Sequence, residues 1–342
     1  KAQMEYSISL LVNADNAIDA AHAERCPLPF LSGMIEDCIG RGKTVQEGGA
    51  VYNFTGPQGF GIANMADSLY AIKTLVYDEK KVTMEEYRKA LAENYGKGLP
   101  ASEVEFLLGE VVKNLHAAGK PVNEAEVASA ARALMTPTNK YDKLLEMIDA
   151  VPKFGNDIEE VDAFARDVAY TYTRPLEKYR NPRGGQYQAG LYPVSANVPL
   201  GAQTGATPDG RAAGEPFAPG ANPMHERDAS GALASLNSVA KIPYECCRDG
   251  ISNTFSIVPS ALGENAQDRA ENLADLLDGY FGQGAHHLNV NVFDREKLVA
   301  AMEHPELYPN VTIRVSGYAV NFHKLSRAHQ LEVLKRTYHA RV

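Results

Sequence analysis

One glycine near the C-terminus constrains the fold of this chain more than any other residue. Residues 311–315 and 318–322 each alternate polar and apolar side chains, and Ser316-Gly317 separates the two runs. Such alternation is typical of half-buried β-strands. A lone glycine inside a strand pattern usually marks a bulge or a tight turn, because glycine has no Cβ to crowd the backbone. The pattern therefore predicts two short strands joined by a turn at Gly317.

Helical periodicity is clear in the first half of the chain. Residues 1–19 have the spacing of a helix interior, with an apolar stripe at Leu10, Leu11, Ala14, Ile18 and Ala21. The capping box Thr83-Met-Glu-Glu86 predicts a helix that reaches about residue 95, and residues 156–179 predict another. Residues 103–148 are helical and rich in charge. We interpret the region 103–151 as an insertion that covers the main body.

The residue pattern of the sequence changes after residue 181. Glycine and proline recur every few residues over 181–223 and helical spacing is lost, which indicates a long loop close to other backbone or to a ligand. The best strand patterns follow at 251–258 and 286–293, and an amphipathic helix is predicted over 326–338. His286 and His287 are adjacent on a predicted strand, so they point to opposite faces and do not predict a metal site.

Composition excludes several classes of protein. The net charge of −9 does not suit a nucleic-acid binder, and no apolar run reaches the length of a membrane span. The chain has four cysteines, which form neither a zinc pattern nor a disulfide framework. They are Cys26, Cys38, Cys246 and Cys247. We expect a cytoplasmic protein in which these cysteines are small core residues.

The string Arg-Val-Ser-Gly-Tyr-Ala-Val-Asn-Phe at 314–322 resembles the glycyl radical motif of the pyruvate formate-lyase superfamily. The chain's ending from residue 254 onward resembles pyruvate formate-lyase itself. Segments that resemble the glycerol dehydratase-like branch lie at 24–32, 36–42, 48–58, 190–201 and 204–211. The resemblance implies an α/β fold: the C-terminal part of a barrel of two half-barrels surrounded by helices, with the glycine loop at its centre. It divides the chain into a barrel part at 1–215 and a glycine radical domain at 216–342.

By this resemblance, Gly317 stores a radical. Loss of a hydrogen atom from Cα leaves a centre that favours planarity with its flanking amides, and a Cβ would crowd that plane. Oxygen attacks such a radical, so we expect Gly317 to be buried. The resemblance also implies that a separate iron–sulfur enzyme installs the radical with S-adenosylmethionine, and that the chain binds no cofactor or metal of its own.

The family relays the radical through a cysteine, which lies in a Cys-x-Glu arrangement in its dehydratases and decarboxylases. No cysteine of this chain has that context. The pair Cys246-Cys247 is adjacent, as in pyruvate formate-lyase, but its surrounding sequence differs, and we do not assign it the relay. We therefore expect a fragment or a split subunit that is inactive alone. Its missing N-terminal half would carry the thiyl cysteine, and the complete enzyme would be a homodimer.

Five further residues are candidate contacts of the substrate. The loop at 56–61 is rich in glycine, but it lacks the Gly-Lys-Ser/Thr of a phosphate-binding loop. The resemblance places this loop at the substrate cavity, with Asn53 and Gln58 as polar contacts. Tyr192, Ser195 and Asn197 lie in a segment that resembles an active-site strand, although a structural strand end fits them equally well.

The resemblance leaves the reaction open. A glycyl radical lyase could dehydrate a diol or another hydroxylated substrate, which the segment at 48–58 favours, or decarboxylate an arylacetate, which the long region 103–151 favours. A formate acetyltransferase-type activity is an alternative. So is a non-catalytic spare-part protein that replaces a damaged glycine domain, although residues 1–220 carry barrel segments that such a part does not need. An interaction domain that has kept the motif is a further alternative.

Overall fold

The structure is a computed structural model that describes residues 1–99 and 101–342, and the side chains of these residues except 102 and 103. Helices surround small sheets of mostly parallel strands, an arrangement typical of α/β proteins. Within the described part of the chain, no helix is both long and apolar enough to span a bilayer.

Fourteen α-helices lie in the described ranges. They are α1 (Ala2–Arg25), α2 (Pro29–Ser32), α3 (Cys38–Arg41), α4 (Ile62–Ile72), α5 (Met84–Ala92), α6 (Ala101–Ala117), α7 (Glu124–Met135), α8 (Asp142–Ala150), α9 (Glu159–Leu176), α10 (Asn197–Ala202), α11 (Ala232–Ala240), α12 (Ala266–Gly282), α13 (Arg295–Glu303) and α14 (Arg327–Lys335).

The strands are short and belong to three sheets. They are β1 (Gly190–Leu191), β2 (Gly250–Ile251), β3 (Thr254–Ile257), β4 (Asn289–Val292), β5 (Thr312–Arg314), β6 (Ala319–Asn321) and β7 (Tyr338–His339). β1 pairs in parallel with β2, and β3 lies between β4 and β7, parallel to both. β5 and β6 form an antiparallel hairpin. Parallel bridges from Thr55 to Tyr187 and from Gln58 to Gly190 add one more extended segment beside β1.

One hydrophobic core runs from the first half of the chain into the second. It joins α4 and α9 to α11, α12 and the strands β1, β2 and β3. A separate, smaller core lies between α13, α14 and the β5–β6 hairpin, around Leu298, Ile313, Phe322 and Val333. The hairpin therefore rests on the C-terminal helix.

Several sequence predictions are confirmed at the level of elements. Thr83 and Glu86 form the predicted capping box of α5, which ends at Ala92. The predicted helix over 156–179 is α9, and the helical region 103–148 contains α6, α7 and α8. The predicted first helix is α1. Its buried residues are Ile8 and Val12, whereas the predicted stripe points outward, with Leu10 51% and Ile18 54% exposed.

Other predictions are wrong in part. The region 181–223 is not wholly a loop, because it contains β1 and α10. The predicted strand over 251–258 is two strands, since the chain passes from one sheet to the next between them. There the Asn222 side chain binds both the N–H and the carbonyl of Thr254. Among the cysteines, Cys38 and Cys247 are buried as expected, but Cys26, just after α1, is exposed and Cys246 is only partly buried.

Candidate functional site

The predicted turn at Gly317 is present at the tip of the β5–β6 hairpin. Gly317 has φ +77°, in the left-handed region that favours glycine. The Val315 N–H donates a hydrogen bond of 3.0 Å to the carbonyl of Tyr318 and closes the turn. A Cβ built on Gly317 would have no described atom within 4 Å. Backbone conformation, and not crowding, therefore requires glycine here.

Gly317 is exposed in this chain, contrary to the expected burial. The residues just before it, Val315 and Ser316, are buried, and Tyr318 and Val320 are partly buried. The described residues pack below the hairpin and leave its tip uncovered. The base of the hairpin is packed in the protein core, and its tip at Gly317 projects from the surface.

Hydrogen bonds fix the first strand of the hairpin to the parallel sheet. Asn291 on β4 accepts from the Arg314 N–H at 3.0 Å and donates to the Arg314 carbonyl at 2.9 Å. The Val315 carbonyl accepts from Thr254 Oγ1 at 3.1 Å. The hydroxyl of Ser316 donates to that of Ser252 at 3.2 Å. The position of the turn is thus set by β3, β4 and the end of β2.

A buried ionic cluster lies at the base of the hairpin. Arg336 Nε and Nη2 donate to Glu332 at 3.0 and 2.9 Å, and Arg336 Nη1 donates to the Val315 carbonyl at 2.7 Å. His225 Nε2 lies 2.9 Å from Glu332 Oε1 and donates to it. Burial alone would raise the pKa of Glu332, but Arg336 and His225 outweigh burial and lower that pKa to about 2.

Polar side chains lie beside three glycines, two in β1 and β2 and one in the extended segment next to β1, and we call this surface the floor. A Cβ on Gly190 would lie 2.1 Å from Oε1 of Gln58, and a Cβ on Gly56 would lie 2.1 Å from Oδ2 of Asp249. The ring of Tyr192 lies over Gly250, 3.7 Å from its Cβ position. A larger residue at Gly190 would displace the side chain of Gln58, and one at Gly56 would displace that of Asp249, whereas a Cβ at Gly250 would only touch the ring of Tyr192.

The polar side chains on this floor meet at Asp249. Tyr192 Oη donates to Asp249 Oδ2 at 3.1 Å, and Gln58 Nε2 donates to the same oxygen. Partial burial and the neighbouring Asp249 raise the pKa of Tyr192, so its hydroxyl stays protonated. Gln58 Oε1 is buried and has no hydrogen-bond partner among the described residues. Because it lies against Gly190, a ligand can reach this acceptor only if the Gln58 side chain turns.

The glycine hairpin contacts the carboxyl end of β2, and Tyr192 connects the neighbouring carboxyl end of β1 to Asp249, which directly precedes β2. Tyr192 directly follows β1, and Ser252, which holds Ser316, directly follows β2. The Ser252 N–H donates to the Leu191 carbonyl at 3.0 Å. Ligands of parallel α/β sheets bind at such carboxyl ends. Nearby, Val194 has φ +56°, an uncommon conformation for a β-branched residue and one that clusters at functional sites.

The other candidate residues have structural contacts. The Asn53 amide donates to the Ala50 carbonyl at 2.8 Å within its own loop. Asn197 is buried and donates to the Phe217 carbonyl at 3.2 Å. The Ser195 carbonyl lies 3.4 Å from His329 Nε2 on α14. The structure therefore joins Gln58 to Tyr192, through Asp249, but does not join Asn53 or Asn197 to them.

Of the cysteine pair, only Cys247 has the environment of a packing residue. Cys247 is fully buried, and burial raises the pKa of its thiol to about 12. Burial and the nearby Glu245 raise the pKa of the Cys246 thiol. No group of three or more His, Cys, Asp and Glu side chains in the described ranges is arranged to hold a metal ion.

The chain matches two family models. Residues 1–201 match the pyruvate formate lyase-like family, and residues 217–323 match the glycine radical family.

Solved structures with the same fold include three that were determined in studies of dehydration. A structure from work on 1,2-propanediol dehydration in Roseburia inulinivorans is 51% identical with a TM-score of 0.92, and the match covers 98% of this chain and 41% of that one. The glycerol-bound B12-independent glycerol dehydratase from Clostridium butyricum is 41% identical with a TM-score of 0.83, over 99% of this chain and 37% of that one. Hydroxyproline dehydratase from Clostridioides difficile, with trans-4-hydroxy-L-proline bound, is 28% identical with a TM-score of 0.82, over 99% and 37%.

This chain spans about two fifths of the length of these structures. Both family matches, the glycine hairpin and the shared fold lead to one assignment. The chain belongs to the pyruvate formate lyase-like family of glycyl radical enzymes.

Proposed function

We propose that this chain is the radical-storing part of a glycyl radical dehydratase that removes water from a small vicinal diol or a similar hydroxylated molecule. The observation that carries the proposal is that Ser316 and Ser252 hold the turn of Gly317 at the carboxyl end of β2, beside β1 and Tyr192, whose hydroxyl joins the polar floor at Asp249. The similarity to structures from propanediol, glycerol and hydroxyproline dehydration supports dehydration over decarboxylation and acyl transfer.

Gly317 is the proposed site of the stored radical. Its exposed position at the turn leaves its Cα–H open to a reaction partner, and no described atom occupies the place of a Cβ. The radical that remains after loss of the hydrogen atom can flatten without a steric clash. The resemblance to the family motif at 314–322 supports the assignment.

Gln58 and Tyr192 are the proposed substrate contacts of this chain. Gln58 Oε1 offers a buried acceptor without a partner among the described residues, and Asp249 fixes both side chains. A substrate hydroxyl would donate to Gln58 Oε1 after the Gln58 side chain turns away from Gly190. A site built around polar groups discriminates strongly against analogues that lack the matching hydroxyl. Asn53, Ser195 and Asn197 are then supports of the surrounding loops.

The complete enzyme needs parts that lie outside this structure. We propose that residues 1–215 belong to the barrel and 216–342 to the glycine radical domain. The thiyl cysteine would belong to the portion of the relatives' chains that this chain does not span. That portion would also cover the exposed tip at Gly317, and the complete enzyme would be a homodimer. A separate iron–sulfur activating enzyme with S-adenosylmethionine would generate the radical.

Anaerobic activation of the full-length protein tests this function. After treatment with the activating enzyme and S-adenosylmethionine, electron paramagnetic resonance should show a doublet. The activated protein should convert propane-1,2-diol or glycerol to an aldehyde, with trans-4-hydroxyproline and an arylacetate as comparison substrates. A normal radical with turnover of the arylacetate alone would reject dehydration. A normal radical that turns over none of the hydroxylated compounds would reject the proposed substrate class.

A further inference from the structure

Each of the three guanidinium nitrogens of one buried arginine donates a hydrogen bond at the base of the glycine hairpin. The Arg336 side chain is 7% exposed, and its partner Glu332 is 1% exposed. Two of its nitrogens hold the two carboxylate oxygens of Glu332, and the third, Nη1, donates to the Val315 carbonyl. Val315 lies two residues before Gly317. The arginine thus links the C-terminal helix α14 directly to the turn.

Stability alone does not account for this cluster. A buried ion pair is desolvated, and well-packed apolar residues of similar volume often serve stability as well. An arginine also fixes the direction of its hydrogen bonds. Its planar guanidinium group is rigid, so it can bind a carboxylate with two nitrogens while the third donates to another acceptor. His225 donates to Glu332 Oε1 and fixes the carboxylate in turn. The cluster therefore fixes the direction of one hydrogen bond, the one to Val315.

That hydrogen bond completes the restraint of the turn. The Val315 carbonyl accepts from Arg336 and from Thr254, and its N–H closes the turn on Tyr318. Both backbone polar groups of Val315 are thus fixed. In contrast, no described atom lies within 4 Å of the position that a Cβ on Gly317 would take. The location of the Gly317 Cα therefore depends on the restraints that act just before it.

We propose that Arg336, oriented by Glu332 and His225, is the positioning residue for hydrogen-atom transfer at Gly317. This inference rests on the proposed function. In the transfer, the Cα–H bond of Gly317 breaks homolytically and an S–H bond forms on a thiyl sulfur, or the reverse. No net charge moves, so Arg336 acts through geometry. Misplacement of reacting groups by about 1 Å can slow a reaction roughly 100-fold.

The test is Arg336→Lys in the full-length protein. Lysine keeps the charge but cannot hold Glu332 with two nitrogens and reach Val315 at once. Arg269→Lys is the matched control, because Arg269 also donates to two loop carbonyls, those of Gly263 and Glu264, away from the hairpin. In the activated protein we expect turnover per radical to fall about 10-fold or more in Arg336→Lys. We expect it to stay within about 2-fold of wild type in the control.

A second readout does not need activity. Hydrogen exchange of the unactivated protein should be faster at the amides of 314–318 in Arg336→Lys, and unchanged there in Arg269→Lys. Glu332→Gln keeps the shape of the side chain and removes the charge that orients Arg336, so it should change both readouts in the same direction if Arg336→Lys does not fold. Wild-type exchange rates at 314–318 in a folded variant would overturn the proposal. So would wild-type turnover per radical.

The two readouts separate this proposal from the proposed function. If wild-type protein carries no radical or performs no dehydration, the proposed function fails, while the exchange experiment still tests the restraint of the turn. If wild-type protein is active and both Arg336→Lys and Glu332→Gln match it, the positioning role fails and the function stands.

Discussion

The substitution Gly317→Ala should separate radical chemistry from folding. Gly317 has φ +77°, so an alanine there takes a left-handed conformation that costs about 1–2 kcal/mol. No described atom lies within 4 Å of the new Cβ, so no steric term adds to this cost. The variant should therefore fold, with a small loss of stability in the unactivated protein, and fail to form the doublet after activation.

Gly284→Ala is the matched control. Gly284 follows α12, has φ +97° and likewise has no described atom within 4 Å of its Cβ position. Its backbone strain should also cost about 1–2 kcal/mol, so both variants should unfold at similar denaturant concentrations. The control should keep its radical. A full-strength doublet in Gly317→Ala would refute the assignment of the radical. A loss of stability above about 4 kcal/mol in Gly317→Ala alone would contradict the open space around the Gly317 Cβ position.

Three further predictions concern the floor, the cysteines and the ionic cluster. Tyr192→Phe removes the hydrogen bond to Asp249 and should raise the KM for a diol while the number of radicals per chain stays normal; an unchanged KM would contradict the substrate role. Cys247→Ser should lower stability by about 1–3 kcal/mol, because it buries a hydroxyl, and Cys246→Ser should be nearly neutral. Both serine variants should keep their turnover per radical, and loss of all turnover with a normal radical would make the pair the relay. Because the pKa of Glu332 is lowered from 4.5 to about 2, its contribution of about 3 kcal/mol is present above pH 4.5 and is lost as the pH falls toward 2. Denaturant unfolding at pH 7 and pH 3 should therefore differ more in wild type than in Glu332→Gln.

Local signals in the sequence predict local structure here. The capping box at Thr83 and Glu86 needs only neighbouring residues, and α5 begins where it predicts. The turn at Gly317 is predicted because glycine interrupts two alternating runs. In contrast, α1 has apolar residues on more than one side, and its packing on α9 and Tyr187 decides that Ile8 and Val12 are buried. Periodicity alone could not choose between the faces of that helix.

The candidate site depends on contacts between distant parts of the chain. Gln58 and Tyr192 were predicted by resemblance, but Asp249, which joins them, lies 191 and 57 residues away from them, and no local pattern marks it. The same is true of Arg336, which reaches Val315 across 21 residues. Gly317 was expected to be buried, but it is exposed, because the described residues pack only against the base of the hairpin.

Air exposure of the activated protein tests the central claim most directly. If Gly317 stores the radical, oxygen should cleave the backbone there, and mass spectrometry of the full-length protein should find a new C-terminal fragment that begins at or next to Tyr318. The amount of this fragment should match the amount of radical lost. An intact C-terminus after complete loss of the radical, or cleavage at another residue, would contradict the account.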